Sequence, residues 1–153
     1  MTDLKLIALD KEDLEIISAH LQDAVMRVGD IAYLPKQNKF AALTNRFNWE
    51  KVHAEKKRSR KKYERRRSAL RIERVLGAQI QNINLRDKDA VLELLALQFE
   101  AGDEPEGSIS LVFAGGGAVK LYVECIEVEL NDLGAAWETK NMPEHSEDLS
   151  ENS

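Results

Sequence analysis

The residues best suited to chemistry lie in one basic segment, residues 51–67 (KVHAEKKRSRKKYERRR). It contains ten Lys or Arg and two Glu. Such side chains neutralise phosphates, and Tyr63 and the arginines can stack on bases. We therefore predict a site for RNA or another polyanion, formed by Lys56, Lys57, Arg58, Arg60, Lys61, Lys62, Tyr63, Arg65, Arg66 and Arg67. The alternative interpretation is a solvated loop between two strands, whose charge only keeps it in solution.

The rest of the chain is acidic. The net charge is −5 although the basic segment is strongly positive, because the other residues carry 12 Lys or Arg and 25 Asp or Glu. Five of these acids and one lysine lie in residues 138–153, which have few apolar side chains. We predict a single α+β domain over residues 1–137, with a basic loop at 51–67, and a disordered acidic tail at 138–153.

Three other features could carry chemistry, and each has a simpler structural interpretation. Gly115-Gly116-Gly117 lies between two predicted strands, which favours a hairpin turn over a phosphate-binding nest. Cys125 is predicted to be buried and inert at the start of a helix, and His20 to lie at a helix end. The three histidines are far apart in sequence. We therefore predict no catalytic residue, no cofactor and no metal, and we expect the protein not to be an enzyme.

The first predicted elements are a strand at 4–9 and a helix at 11–22. Asp10 can cap this helix, and Leu14, Ile17 and Leu21 form one apolar stripe along it.

Short strands are predicted to follow the helix. Two of them, 24–28 and 31–34, would form a hairpin around Gly29-Asp30. In the strand at 40–49, one face is predicted to contain Ala41, Leu43, Phe47 and Trp49, with Asn45 as its polar exception. Further strands are expected at 69–81, with a bulge at Val75-Leu76-Gly77, and at 108–114 and 118–123. Residues 91–99 fit either a strand or a helix, and the strand is favoured because Val91, Leu95, Leu97 and Phe99 alternate and a loop follows.

The last predicted element is a helix at about 124–133, in which Ile126, Leu130 and Leu133 form the apolar stripe and Gly134 ends the helix. The predicted fold class is therefore α+β. It would be a curved antiparallel sheet or partly open barrel of six to seven strands, with an N-terminal and a C-terminal helix. A final helix that plugs such a barrel resembles the pleckstrin-homology-like arrangement.

Several stretches of the chain resemble an uncharacterised family of alphaproteobacterial proteins. They are ISAHLQDAV (17–25), DIAYLP (30–35), NRFNWE (45–50), RRRSALRIERV (65–75) and LVFAGGGAVKLYVECIE (111–127). The similarity covers about residues 4–143. The family is a domain of unknown function, so the resemblance implies a bacterial, single-domain protein and assigns no site residue.

Location and function follow from composition. No apolar run approaches the ~20 residues of a membrane span, and the N-terminus lacks the pattern of a secretory signal. The single cysteine suits a reducing compartment, so we expect a cytoplasmic protein with no membrane partner. We predict an accessory protein that binds RNA or another polyanion. The alternative is a protein-interaction or regulatory module that uses a sheet edge or the groove beside the last helix. A third class, an enzyme or small-ligand binder with a site built from scattered residues, stays open, as does the oligomeric state.

Overall fold

Short strands dominate the part of the chain that the computed structural model describes, residues 4–47, 64–134 and 137–138. The strands are β1 (Lys5–Ala8), β2 (Val25–Arg27), β3 (Ile31–Leu34), β4 (Lys39–Phe47), β5 (Glu64–Ile72), β6 (Val75–Gln81), β7 (Val91–Ala101), β8 (Gly107–Phe113), β9 (Ala118–Val123), β10 (Val128–Asp132) and β11 (Trp137–Glu138). The helix α1 covers Lys11–Leu21, and 3-10 turns cover Val28–Asp30 and Pro35–Gln37.

All of these strands belong to one open antiparallel sheet with the order β1-β10-β5-β4-β2-β7-β8-β9-β6. β3 lies beside β4, and β11 lies beside β5. Apolar side chains from strands throughout the sheet, and from α1, form one hydrophobic cluster. The sheet therefore curves around a single core, which α1 helps to fill.

The N-terminal elements match the prediction. The Asp10 carboxylate accepts a hydrogen bond of 2.8 Å from the Asp13 N–H, so Asp10 caps α1 as expected. Leu14, Ile17 and Leu21 are buried. The amphipathic stripe thus docks the helix on the sheet, and β1 precedes it as predicted.

The predicted C-terminal helix is wrong. Residues 128–132 form β10, which pairs with both β1 and β5 and places Leu130 opposite Leu6 and Leu70. Val128 and Leu130 are buried, while Leu133, which the helix would also bury, is 49% exposed. Alternation with period two is therefore the relevant pattern in this segment.

The fold class must be corrected for the same reason. The described structure is mostly an open antiparallel sheet with one short α-helix, and not an α+β fold with a helix at each end. Because the residues predicted to form the plugging helix contain β10 instead, the pleckstrin-homology-like analogy fails as well.

The observed central strands agree with the predicted ones only in part. β7 and the β8–β9 hairpin are confirmed, and the turn places Gly115 and Gly116 at φ of 88° and 94°. The register shift between Val75 and Gly77 confirms the bulge, although the predicted strand at 69–81 divides into β5 and β6. The predicted hairpin at Gly29-Asp30 is wrong, because β2 and β3 both pair with β4 across a 3-10 turn.

Two predicted features, residues 51–63 of the basic segment and the tail beyond Glu138, lie outside the described residues. In the part of the chain that is described, no helix is both long enough and apolar enough to cross a membrane.

Candidate polyanion interface

The basic segment enters the described sheet at β5. Its first seven predicted site residues lie outside the described ranges: Lys56, Lys57, Arg58, Arg60, Lys61, Lys62 and Tyr63. Residues 64–67 are not a loop, since they form the start of β5, with Arg65, Arg66 and Arg67 opposite Phe47, Arg46 and Asn45 of β4. The last three predicted site residues are thus held in fixed positions on a strand.

Alternation along β5 sends these three arginines to different faces of the sheet. Arg66 points inward, is only 4% exposed and donates a hydrogen bond of 3.4 Å to the Gly134 carbonyl. It is therefore shielded from an external ligand in this fold. Arg65 and Arg67 lie on the opposite face and are partly exposed, so the structure brings two of the three predicted arginines together.

Arg65 forms a stack with an aromatic ring. Its guanidinium lies 3.9 Å from the centre of the Phe47 ring, and Nη1 donates a hydrogen bond of 3.1 Å to the Asn45 carbonyl. Burial lowers the pKa of Arg65, and the nearby carboxylates of Asp23 and Glu93 oppose that change. The guanidinium of Arg65 remains cationic at neutral pH, because arginine side chains are not deprotonated in proteins.

We use the term outer face for the solvent side of β1, β10, β5 and β4. Its residues are partly or fully exposed: Lys5, Ile7, Glu129, Asn131, Arg65, Arg67, Ala69, Arg71, Lys39, Ala41, Leu43, Asn45 and Phe47. Five of them are basic and only Glu129 is acidic. Glu129 pairs with Arg71 and with Lys5, and Lys39 pairs with Glu73 at 3.7 Å. Arg65 and Arg67 are the other two basic side chains of this face, and the carboxylates of Asp23 and Glu93 lie close enough to Arg65 to attract it.

Ala41, Leu43, Asn45 and Phe47 share one face of β4 as predicted, but this face is not the buried one. Phe40, Ala42, Thr44 and Arg46 are buried, whereas Ala41, Leu43 and Phe47 belong to the outer face and Trp49 lies outside the described residues. A strand with an arginine on its core side can fold only if that charge finds a partner.

Asp132 is the partner of Arg46. Nε of Arg46 donates to Oδ1 at 3.0 Å and Nη2 donates to Oδ2 at 2.9 Å, while the two side chains are 4% and 1% exposed. The Ser68 hydroxyl donates to Oδ1 at 2.7 Å, and the Leu4 N–H donates to Oδ2 at 2.8 Å. Each carboxylate oxygen of Asp132 therefore accepts two hydrogen bonds, and the bidentate pair neutralises the charges of Arg46 and Asp132.

The carboxyl group of Asp132 is held in its ionised form. Burial alone would raise its pKa, but the hydrogen bonds from Arg46, Ser68 and the Leu4 N–H together lower the pKa below its ordinary value. The cluster joins β4, β5, β10 and the residue before β1. It therefore fixes the end of the sheet at which β4 leads into the basic segment and β5 leads out of it.

The remaining sequence candidates do not form a site with these residues. Cys125 lies in the bend between β9 and β10, partly exposed, and not at a helix start. His20 contacts the Ile16 carbonyl through Nδ1 at 3.0 Å in the last turn of α1. Among the residues that the structure describes, no three His, Cys, Asp or Glu side chains are grouped as metal ligands.

The cluster of Arg46, Ser68 and Asp132 was not predicted from the sequence. A signal was present, since Thr44 and Arg46 continue the alternation of Phe40 and Ala42, and Ser68 continues that of Leu70 and Ile72. Two polar ends on neighbouring strands suggest a shared polar cluster. The acidic partner could not be identified, because 128–132 was assigned to a helix.

Comparisons with known proteins identify a family without assigning a function. The family described as "Protein of unknown function (DUF2948)" matches residues 4–145. Neither a curated protein nor a solved structure matches the chain significantly. The chain therefore belongs to this uncharacterised family.

Proposed function

We propose that this member of an uncharacterised family is a cytoplasmic, non-enzymatic accessory protein that binds single-stranded RNA. In this proposal the RNA lies on the outer face near Arg65 and Arg67, and the Lys and Arg residues at 56–62 supply further phosphate contacts. The observation that carries the proposal is the stack of Arg65 on Phe47 beside Arg67 and Asn45. Sheet faces that combine aromatic and basic side chains suit unstacked bases and phosphates.

Each side chain has a defined part in the proposed binding mode. Arg67 contacts a phosphate, while a base extends the existing stack of Arg65 on Phe47. The Asn45 side chain, next to them in register, can donate to or accept from a base edge. The acids Asp23 and Glu93 lie across β4 from Arg65, since Glu93 belongs to β7 and Asp23 precedes β2, and they repel phosphates. The strand of RNA therefore runs along β5 rather than across β4 toward β7.

The test measures the affinity of the full chain for a 20-nucleotide oligo(U) over a range of salt concentrations. For single strands, log K falls with log salt at about −0.7 for each phosphate contacted. The double variant Arg65→Gln/Arg67→Gln should weaken binding through both side chains and make the slope shallower by about 0.7, the value for the one phosphate contact made by Arg67. Both residues are partly exposed, so the fold should tolerate the change.

A matched control separates a local contact from overall charge. Arg86→Gln/Lys88→Gln removes two charges from exposed positions in the loop between β6 and β7. This variant should keep the wild-type slope. If both double variants bind equally weakly, the interaction depends only on net charge, and absence of oligo(U) binding by the wild type at low salt ends the RNA proposal.

A second candidate function, protein interaction at a sheet edge, is favoured by one observation. β6 forms one end of the sheet, and its Leu76 and Ile80 side chains are 54% and 39% exposed. Exposed apolar side chains on an edge strand can receive a further strand from a partner. Affinity purification with and without nuclease distinguishes the candidates, since a partner that survives nuclease and is lost with Leu76→Lys supports the edge.

A further inference from the structure

The chain leaves the described structure beside the candidate interface. β11 pairs with the start of β5, so that Trp137 lies opposite Arg65 and Glu138 opposite Glu64. Fifteen residues of the sequence, 139–153, follow this point. At about 3.3 Å per residue they can span roughly 50 Å, whereas four strands at about 4.8 Å spacing are less than 20 Å across. Residues 139–153 can therefore reach every part of the outer face.

The composition of residues 139–153 complements the outer face. They contain Glu144, Glu147, Asp148 and Glu151 but only one basic residue, Lys140. The outer face contains five basic side chains against one acid, and between them lie the apolar side chains of Leu43 and Ala69. Opposite charge on a tethered segment favours intramolecular contact, because tethering raises the effective concentration of the segment.

We propose that residues 139–153 dock on the outer face around Arg65 and Arg67, with their carboxylates directed at these two arginines. The docked segment occupies the surface assigned above to RNA and competes with it. The docking stands on the β11 pairing and on charge complementarity, while the competition rests on the proposed function. The docked contact is weak, because one exposed ion pair shifts the docking equilibrium by about fivefold at most. Salt screens the ion pair and weakens it further.

Paramagnetic relaxation enhancement tests the docking without any nucleic acid. A nitroxide is placed at Ser150→Cys in the full chain with Cys125→Ser, so that the label has one attachment site. At low salt the amide signals of Leu43, Asn45 and Arg67 should broaden more than those of the turn at 114–117, and 0.5 M salt should remove the difference. Equal broadening at both places, or broadening that salt leaves unchanged, overturns the docking.

Charge-matched variants identify the groups responsible. Changing Glu144, Glu147, Asp148 and Glu151 to the corresponding amides should abolish the broadening on the outer face. The control changes four exposed acids on α1, β7 and the β7–β8 loop, namely Glu15, Glu100, Asp103 and Glu106, to amides and should preserve it. If both variants retain the broadening, the carboxylates of residues 139–153 are not the docking groups and the proposal is wrong.

The oligo(U) titration then tests competition separately from binding. At low salt the variant with four amides in residues 139–153 should bind roughly fivefold more tightly than wild type, and at 0.5 M salt equally. Equal affinity at low salt, with docking observed, overturns the competition. If neither protein binds oligo(U) although docking is observed, the proposed function fails while the docking of residues 139–153 stands.

Discussion

The two halves of the sheet bury different kinds of side chains. In the half formed by β7, β8, β9 and β6, the inward side chains are apolar: Leu97, Ile109, Leu111, Phe113, Val119, Leu121 and Val123. In the half formed by β10, β5 and β4, an apolar core around Leu70 and Leu130 changes along the strands into Thr44, Arg46, Arg66, Ser68 and Asp132. The polar end of this half is the end that continues into the basic segment.

This difference separates two ways of stabilising one sheet. The apolar half is stabilised by the burial of apolar surface and by close packing. The free energy gained by burial is roughly proportional to the apolar area removed from water and has no directional requirement. The polar end depends on complete pairing, because a buried ion pair contributes little beyond an apolar replacement but becomes strongly unfavourable when one partner is lost. The polar end should therefore be sensitive to single changes and tolerant of a joint replacement.

The largest expected effect comes from Asp132→Ala. The change leaves the Arg46 guanidinium buried without its carboxylate, which should reduce the free energy of unfolding by about 3–5 kcal/mol. Urea denaturation monitored by circular dichroism gives the value. The joint variant Arg46→Met/Asp132→Leu removes the orphaned charge and should recover most of this loss, although the buried Ser68 hydroxyl loses its acceptor. A joint variant as unstable as Asp132→Ala would show that the pair itself, and not the orphaned charge, is needed.

In the apolar half, Leu121→Ala should cost about 2–5 kcal/mol, since Leu121 is fully buried and its removal leaves a cavity. The matched variant Leu121→Met nearly conserves volume and should cost less than about 1.5 kcal/mol. The same urea experiment measures both. A loss below about 0.5 kcal/mol for Leu121→Ala would mean that this half relaxes around the gap, and would weaken the contrast with the polar end.

The same contrast explains what could be predicted from sequence. In the apolar half and in α1, the side chains of the hydrophobic core are apolar, so periodicity located β7, the β8–β9 hairpin and the stripe of Leu14, Ile17 and Leu21. In β4 the apolar face predicted from Ala41, Leu43 and Phe47 is the outer face and not the core face. The charge of Arg46 is neutralised by Asp132, which lies 86 residues further along the chain, and local pattern contains no information about that pairing.

The prediction of a helix at 124–133 was wrong for a different reason. Ile126, Leu130 and Leu133 have helical spacing, but Val128 and Leu130 also alternate as in a strand, and a short segment fits both patterns. Position in the sheet decides between them, because β10 fills the space between β1 and β5. The candidate interface was predicted only in part: the charge of Arg65 and Arg67 is visible in the sequence, whereas the inward direction of Arg66 follows from strand register.

The smallest expected effect is an acid sensitivity specific to the polar end. Because the pKa of folded Asp132 is below its ordinary value of about 3.9, the folded state gives up this proton more readily than the unfolded chain does. The resulting stability is complete above the unfolded pKa and is lost as the pH falls through it toward the folded value. Protonation leaves the group able to hydrogen-bond, so the loss should be smaller than that of Asp132→Ala.

The joint variant Arg46→Met/Asp132→Leu isolates this contribution, since it retains the other acids but lacks the titrating carboxyl group. Between pH 5 and pH 3 the free energy of unfolding should fall more steeply in wild type than in this variant. Above pH 5 the two curves should be parallel, because Asp132 is ionised in both folded and unfolded wild type. Parallel curves over the whole range would mean that Asp132 titrates alike in the two states. The hydrogen bonds from Arg46, Ser68 and Leu4 would then merely offset the effect of its burial.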